Sequence, residues 1–325
     1  MRRGMQVLFT IAVLLLAIPV SVSASEYSSA RAYAMGGAYT ALASDLSALQ
    51  INPAGLGQTD FEVAAGACVN NLELISASGS DDVWQIAADE DLKLHGQAGL
   101  RIGGFGLGAF ANAALMKQVD AESGDDIVVQ DINGRASIGY GTRLTELFNL
   151  RIGGSVDVIQ GRQDVFYADT NTATIESRID SEWQGYSVNA GLMAKVGPLR
   201  AGLAVNDIYS SIDKTKGAIT VTEKLDPSYR AGVALELDAI TLAADYELPP
   251  GTDQGILHMG AETRLLFNLL SVRAGQVVYP DQTRLTTAGI GINFAVLHAD
   301  LSVSSEDMFQ SNEFSQVRAQ VTMSF

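Results

Sequence analysis

Apolar and polar residues alternate with a period of two through most of the chain after residue 60, and this feature restricts the possible folds more than any other. From Leu92 to Ile102 the even positions are apolar or small, whereas the odd positions include Lys93, His95 and Arg101. Side chains of a β-strand point alternately to its two faces, so each such segment has one apolar and one polar face. The chain is therefore expected to form mainly β-sheet.

Fourteen such segments can be counted in the sequence. They begin near Phe61, Leu92, Phe105, Ile132, Leu150, Trp183, Leu199, Ser228, Ile240, Ile256, Leu270, Leu285, Val296 and Gln316. A soluble sandwich with one solvated face also alternates in this way. An even number of segments of about ten residues is, however, typical of barrels that cross a bacterial outer membrane.

Short and long connections alternate between the segments. The short ones are 103–104, 145–149, 197–198, 238–239, 266–269 and the break near Ala295. The long, polar ones are 73–91, 117–130, 161–182, 210–227, 249–255, 279–283 and 304–315. In outer-membrane barrels the short turns face the periplasm and the long loops face outward. We therefore predict an all-β fold, a closed antiparallel transmembrane β-barrel of about 14 strands over residues 61–325, in the outer membrane of a diderm bacterium.

The first and last segments of the barrel are expected to pair with each other. An unpaired strand edge in lipid would leave backbone N–H and C=O groups without partners. The last segment alternates from Gln316 and ends in Phe325. A terminal aromatic residue on such a strand resembles the signal read by the outer-membrane assembly machinery. The resemblance implies that machinery as a partner, besides the lipid bilayer and lipopolysaccharide.

Residues 1–24 are typical of an export signal. Arg2 and Arg3 form a basic end, residues 7–18 are apolar, and small residues at 22–24 predict cleavage after Ala24. The apolar part is shorter than the roughly 20 residues of a membrane-spanning helix. The chain has 21 basic and 37 acidic residues and a net charge of −16 at pH 7. Because such a chain repels phosphate backbones, nucleic acid is not expected as a partner.

Residues 25–60, between the export signal and the first strand, predict a small helical plug. They are rich in small residues, and Leu42, Leu46, Leu49 and Leu56 recur at helical spacing. Fourteen strands enclose more space than side chains can fill, since about eight strands already suffice for a packed interior. We therefore expect this stretch to lie inside the barrel and to keep it closed.

Local motifs single out the residues that shape the plug. Asp45 can cap a turn over residues 46–50, and Asn52 followed by Pro53 is a preferred pairing at a helix start. Two adjacent glycines allow backbone conformations closed to other residues. The predicted plug and gating residues are Gly36, Gly37, Asp45, Asn52, Pro53 and Ala54.

The plug sequence resembles the N-terminal plug, or hatch, of the FadL family of outer-membrane transporters of hydrophobic compounds, and of the related PorV-like barrels. The residues that carry the resemblance are Ala30–Ala32, Met35–Ala38, Asp45–Ala48 and Asn52–Leu56. A FadL-like function implies passive transport of a hydrophobic small molecule, of fatty-acid or hydrocarbon type, gated by the plug. The alternative, a PorV-like function, implies a docking or shuttle component of a protein secretion system. The first predicts an apolar pocket next to the plug, and the second a partner-binding rim and little apolar pocket.

The polar faces of the strands are expected to line the lumen. Val156→Arg, on an apolar face, should therefore impair assembly, whereas Ser155→Arg beside it should be tolerated. Acidic clusters near residues 81, 89, 120 and 180 are expected to be solvated loop tips. The predicted lumen-facing polar residues are Arg101, Arg135, Arg143, Arg151, Asp157, Arg200, Arg230, Asp245, Glu262 and Arg264.

The sequence indicates neither catalysis nor a metal site. His95, His258 and His298 lie on polar faces without a serine motif of the kind that a nucleophilic triad needs. Cys68 is the single cysteine, and histidines at metal-ligand spacing are absent. We therefore expect no enzymatic activity, no metal and no cofactor.

Overall fold

The structure is a computed structural model that describes residues 29–58, 61–70, 91–119, 126–169, 174–306 and 316–325. The predicted export signal lies outside these residues. The same holds for the acidic clusters near residues 81, 89 and 120, whereas the cluster near residue 180 lies within a strand, Thr174–Val196, and not at a loop tip.

Strands make up most of the described chain. Their bounds are β1 (Phe61–Val69), β2 (Leu92–Ile102), β3 (Phe105–Val119), β4 (Asp126–Thr145), β5 (Leu150–Asp169), β6 (Thr174–Val196), β7 (Leu199–Lys216), β8 (Ile219–Glu223), β9 (Ser228–Glu236), β10 (Ile240–Leu248), β11 (Ile256–Leu265), β12 (Leu270–Val278), β13 (Arg284–Phe294), β14 (Leu297–Ser305) and β15 (Gln316–Ser324).

All of these strands except β8 form one closed antiparallel barrel. Each strand pairs with the next along the chain, β7 pairs with β9, and β1 pairs with β15. At the seam the Phe325 N–H donates to the Phe61 carbonyl oxygen at 3.0 Å, and the two rings lie 5.5 Å apart. The predicted fold, a 14-stranded closed barrel in which the first and last strands meet, is confirmed.

Strands β3 to β7 are longer than the sequence predicts. β4 begins at Asp126 rather than near Ile132, and β6 begins at Thr174 rather than near Trp183. β8 pairs with the outer end of β7 and stands outside the barrel. Parts of the chain predicted as long loops are therefore strands: 117–119 and 126–130, 161–169 and 174–182, and 210–216 with 219–223.

The outer surface of the barrel carries an apolar band. On β5 the outward side chains are apolar at Ile152, Val156 and Val158, and the polar part begins at Gln160. Exposed aromatic rings flank the band, as they do at membrane interfaces. Phe105 and Tyr140 lie 4.5 Å apart near the short turns, and Tyr186 and Tyr209 lie 6.0 Å apart toward the long loops.

In the part of the chain that the structure describes, short helices occur in the plug and in one turn. They are α1 (Ala30–Ala34), α2 (Ala48–Ile51) and 3₁₀ segments at Pro53–Gln58 and Leu147–Asn149. Among the described residues, no helix has the length and apolar character needed to cross a membrane. Helix α2 starts at Ala48, with Ser47 as its N-cap residue, and Asp45 caps the turn that leads into it, because its Oδ1 accepts from the Ser47 N–H at 3.0 Å.

Candidate functional site

The plug fills the interior of the barrel. From Ser29 to Leu56 almost every side chain is buried. Helix α1 packs against β12 to β15. The 3₁₀ segment Pro53–Gln58 packs against β3 to β6. Thr40 lies against β7 and β9, and Leu46 lies against β1 and β2. The plug therefore touches the wall all round its circumference.

The wall presents glycines where the plug approaches it. A Cβ atom added to Gly139 would lie 2.8 Å from the Leu49 side chain, and one added to Gly153 would collide with the backbone of Pro53. Such close approach of another part of the chain is a common reason for glycine within a strand. These glycines, which we call the glycine ring, are Gly99, Gly106, Gly108, Gly139, Gly141, Gly153, Gly191, Gly202, Gly232, Gly260, Gly275 and Gly289.

Gly153→Val is expected to destabilise the protein by about 1–3 kcal/mol, because the added side chain overpacks a filled interior. The midpoint of urea unfolding in lipid vesicles measures the effect. Gly154→Val is the matched control, since a Cβ at the adjacent, outward-facing Gly154 meets only the Asn189 carbonyl oxygen, at 3.5 Å. Equal shifts for the two variants would contradict the packing of the plug against β5.

Gly36 and Gly37 end α1 in the left-handed backbone region, with φ of 63° and 78°. The Gly37 N–H donates to the Ala32 carbonyl oxygen at 2.9 Å, which closes the helix end. The Gly36 carbonyl oxygen lies 2.7 Å from His258 Nδ1, and its N–H donates to Thr287 Oγ1 at 3.1 Å. Gly36 therefore joins the plug to β11 and β13.

Asp45 ties separate parts of the plug together. Its carboxylate accepts from the Ser29 hydroxyl at 2.9 Å, the Tyr39 hydroxyl at 3.3 Å and the Ser47 N–H at 3.0 Å. A single carboxylate therefore holds the start of α1 next to the turn before α2.

Asn52 connects the plug to β6. Its Nδ2 donates to the carbonyl oxygens of Thr40 and Leu192 at 2.8 and 3.1 Å, and its Oδ1 accepts from the Ala54 N–H at 3.2 Å. This last bond caps the 3₁₀ turn that begins at Pro53, as the sequence predicts.

Two predicted lumen carboxylates bind the plug directly. Asp245 on β10 accepts from the backbone N–H groups of Tyr39 and Thr40 at 2.9 and 2.7 Å. Glu262 on β11 forms a salt bridge with Arg31 of α1 at 2.9 Å. Both carboxylates are buried, and these bonds fix the plug against one side of the wall.

Two predicted arginines act next to these anchors. Arg264 pairs with Glu262 at 3.1 Å. Arg101 is fully buried and pairs with Glu62 at 2.7 Å, and the other oxygen of Glu62 accepts from the Leu46 N–H at 2.9 Å. Arg101 thus contacts the plug through a carboxylate that the sequence analysis did not select.

Of the remaining predicted residues, Arg200 donates to Gln58 Oε1 of the plug at 3.0 Å, and the others form their ion pairs with the wall or lie at the rim. Arg143 is half exposed and pairs with Glu146 in the adjoining turn at 2.9 Å, and Arg151 is partly exposed near the same end. The others pair with carboxylates across the wall: Arg135 with Asp157 at 2.9 Å, Arg200 with Glu236 at 2.6 Å, and Arg230 with Glu247 at 2.8 Å.

Several interior residues were not singled out from the sequence. The glycine ring is one such set, and the other set includes the charged residues Glu62, Glu247, Arg273 and Arg318, with Asp300 paired to Arg273. All of them occupy the polar face in the alternation of their strands. The alternation of each strand could therefore have placed them in the interior. It could not have shown which of them contact the plug.

Two cavities lie on opposite sides of α1. A polar cleft of about 350 Å³ opens toward the short turns and includes Arg31 and Asp45 of the plug. A pocket of about 210 Å³ opens toward the long loops and has Tyr33 and Gly36 of the plug as part of its lining. We call the latter the outer pocket. Helix α1 thus separates the cleft from the outer pocket.

The outer pocket has apolar walls and a few polar groups. Its apolar lining comes from Ile256, Val277, Leu285 and the ring of Tyr279. Burial raises the pKa of Tyr279, which follows β12, above its ordinary value. The polar lining consists of Glu247, His258, Thr287, Gln316 and Arg318.

A third cavity, of about 170 Å³, lies among the long strands β5 to β7, toward their outer ends. Its apolar lining consists of Ile159, Trp183, Ile212 and Leu225. Apolar interior surface therefore also exists away from the plug, toward the long-loop end.

The histidines take part in polar pairs rather than in a recognisable nucleophilic site. His95 pairs with Asn112, His298 with Asn293, and His258 with Glu247. Among the residues that the structure describes, no group of three or more His, Cys, Asp or Glu side chains is placed to hold a metal ion.

A closed 14-stranded barrel with an apolar outer band, a polar wall inside and an internal plug defines a transmembrane barrel of the outer-membrane type. Its fold is that of the FadL-type barrels. The Pseudomonas putida toluene transporter TodX is similar with a TM-score of 0.59 and 14% identity over 94% of this chain and 98% of that one. The monoaromatic hydrocarbon channel CymD gives 0.56 and 16% over 90% and 96%.

A Pseudomonas aeruginosa FadL homologue is similar with a TM-score of 0.55 and 12% identity over 95% of this chain and 99% of that one. These neighbours are transport channels rather than enzymes, and at this identity the likeness shows the fold alone. A scan against protein-family models found no match, and a search of the curated proteins found none either.

Proposed function

We propose that this protein is an outer-membrane channel through which hydrophobic small molecules pass down their concentration gradient, with the plug as its gate. The observation that carries the proposal is the outer pocket, which combines apolar walls with a lining from the plug itself. A ligand in this pocket touches Tyr33 and Gly36 directly. An apolar pocket next to the plug is what the transport function predicts, and what the secretion alternative does not.

The position of α1 supports a gating role for the plug. Arg31 lines the cleft on the short-turn side, and Tyr33, two residues further along the same helix, lines the outer pocket. A five-residue helix is thus the partition between the two cavities. Displacement of α1 would join them into one path, while the rest of the plug stays in the glycine ring.

Uptake into liposomes with a lipopolysaccharide outer leaflet tests the function, because this leaflet slows unassisted entry of hydrophobic molecules. We expect liposomes that contain the protein to accumulate labelled toluene or dodecanol faster than protein-free liposomes, without an added energy source. A hydrophilic solute such as glucose is the control, and its entry should not increase. Equal rates with and without protein for every hydrophobic probe would contradict the transport function.

A further inference from the structure

Two arginines lie opposite each other on neighbouring strands at the short-turn end of the barrel. Arg143 on β4 and Arg151 on β5 are register partners. They share the inward faces of their strands with Gly141 and Gly153, which meet the plug. Like charges directly opposite each other on adjacent strands destabilise a sheet. Strand pairing by itself therefore gives no reason for two arginines at these positions.

Arg151 has no counter-ion in the part of the chain that the structure describes. None of the salt bridges there involves it. Its Nε atom is buried and lacks a hydrogen-bond partner among the same residues. The charged side chains that act most strongly on it are those of Arg200 and Arg143, both cations. A guanidinium group removed from water without an acceptor is unfavourable unless an anion completes it.

The carboxylates nearby do not neutralise this part of the wall. Glu146 pairs with Arg143 at 2.9 Å, but its side chain is 82% exposed, so the pair contributes little. Glu236 is shared by Lys195 and Arg200, at 2.8 and 2.6 Å. Four cations against two carboxylates leave an excess of two positive charges, in a chain whose net charge is −16. These cations, which we call the basic cluster, are Arg143, Arg151, Lys195 and Arg200.

Apolar side chains lie beside the basic cluster, on the turn between β4 and β5. Leu144, Leu147 and Phe148 are all more than half exposed. Phe148 adopts left-handed backbone, with φ of 59°, which is unfavourable for a bulky residue. This end of the barrel faces the periplasm in outer-membrane proteins, so the turn lies at the level of the inner-leaflet head groups. Cations next to exposed apolar side chains are suited to the two parts of a phospholipid.

We infer that the basic cluster binds the phosphate group of an anionic phospholipid of the periplasmic leaflet. Arg151 and Arg143 are the principal ligands, because guanidinium groups match phosphate oxygens in geometry and charge. The acyl chains lie against Leu147 and Phe148. The bound phosphate removes the repulsion between the two arginines and joins the ends of β4 and β5. This site is separate from the outer pocket and does not depend on which molecule is transported.

The test compares phosphatidylglycerol with diacylglycerol of the same acyl chains, which lacks the phosphate. Each carries the same fluorescent label, and equilibrium binding is measured with the full-length chain in micelles of a nonionic detergent. Protein-free micelles correct for partition. Wild type is expected to bind phosphatidylglycerol about tenfold or more tightly than diacylglycerol. In Arg151→Gln this preference should disappear, and Arg151→Lys should restore part of it.

Arg284→Gln is the matched control, because it removes one positive charge from an exposed position at the long-loop end of the barrel. It should leave the preference unchanged. A preference for phosphatidylglycerol that is equal in wild type and Arg151→Gln overturns the inference. A wild type that binds both lipids equally well overturns it too.

Competition with soluble anions identifies the source of the phosphate. Glycerol 3-phosphate carries the same group without acyl chains, and it should displace the labelled lipid only weakly. Complete displacement at concentrations as low as those of unlabelled phosphatidylglycerol would make a soluble phosphate ester the ligand and overturn the assignment to phospholipid. Tetraglutamate tests an acidic peptide in the same way, and stronger competition by the peptide than by phosphatidylglycerol would also overturn that assignment.

Stability provides a second measurement that separates binding from misfolding. A ligand of the folded barrel raises its unfolding temperature, which heat-modifiable migration on gels reports. Phosphatidylglycerol should raise this temperature in wild type and in Arg284→Gln, but not in Arg151→Gln. Without lipid, Arg151→Gln should unfold no earlier than wild type, because the substitution removes the repulsion from Arg143. A variant that unfolds earlier without lipid, while phosphatidylglycerol leaves wild type unchanged, would show that Arg151 serves the barrel structure alone.

Discussion

Deletion of residues 30–57 is expected to turn a sealed barrel into an open pore. The plug contacts every side of the wall, and the positions of the glycine ring contribute no side chains that could fill the space after its removal. A 14-stranded barrel lies between the eight strands that pack solid and the roughly sixteen that enclose an aqueous channel. In planar bilayers the intact chain should show no steady single-channel conductance, whereas the deletion variant should show one.

The matched control for this deletion removes chain from the outer rim, at the long-loop end of the barrel, rather than from its interior. Replacing residues 213–222, the outer hairpin of β7 and β8, by a short turn should leave the bilayer as tight as wild type does. Heat-modifiable migration on gels shows whether each variant forms a barrel. A deletion variant that is folded yet as tight as the intact chain would show that the interior is closed by something other than the plug.

Val156→Arg is expected to cost about 2–4 kcal/mol of folding free energy, because it places a charge on the lipid face near the bilayer midplane. Val156 is 43% exposed and points outward. It lies six residues beyond the start of β5, which is about 20 Å along the strand. With a strand tilt of about 40° this corresponds to about 15 Å of height in a band of about 25 Å. Urea titration of the vesicle-inserted protein measures the loss.

The control for Val156→Arg is Gln160→Arg, on the same outward face but at the upper edge of the apolar band. It should change the unfolding free energy by less than about 1 kcal/mol. Ser155→Arg, which the alternation alone suggests as a tolerated change, is unsuitable. Ser155 is 3% exposed and its hydroxyl donates to the Leu49 carbonyl oxygen of the plug at 3.0 Å. Equal losses at residues 156 and 160 would refute the assignment of the lipid band.

Local sequence patterns predicted the parts of the fold that depend on local geometry. Alternation depends only on the backbone period of two, so it identified the short strands from β9 to β15 to within about two residues. It did less well for β4 and β6, because their outer ends rise above the apolar band and need no apolar face. β8 was missed for a similar reason, since all of its residues are exposed.

The candidate site could be predicted only in part. The capping hydrogen bond at Asn52 and Pro53 joins residues that are two apart in the chain, Asn52 and Ala54. The motif could therefore be identified directly from the sequence. The partners of Asp245 and Glu262 could not, because they are about 200 residues away in the plug. The same limit applies to Arg318. The alternation of β15 places its side chain inside the barrel, but it does not predict the contact with the Tyr33 ring.

The amino-acid sequence by itself determined a wall with one apolar and one polar side, the number of strands, the closure of the barrel and a separate small plug. These follow from backbone periodicity and from the cost of unpaired backbone groups in lipid. Only the tertiary structure decided which wall positions must be glycine and which polar side chains meet the plug. It also decided where the outer pocket lies. All of these features depend on contacts between residues far apart in the chain, and the strand register and the path of the plug determine those contacts.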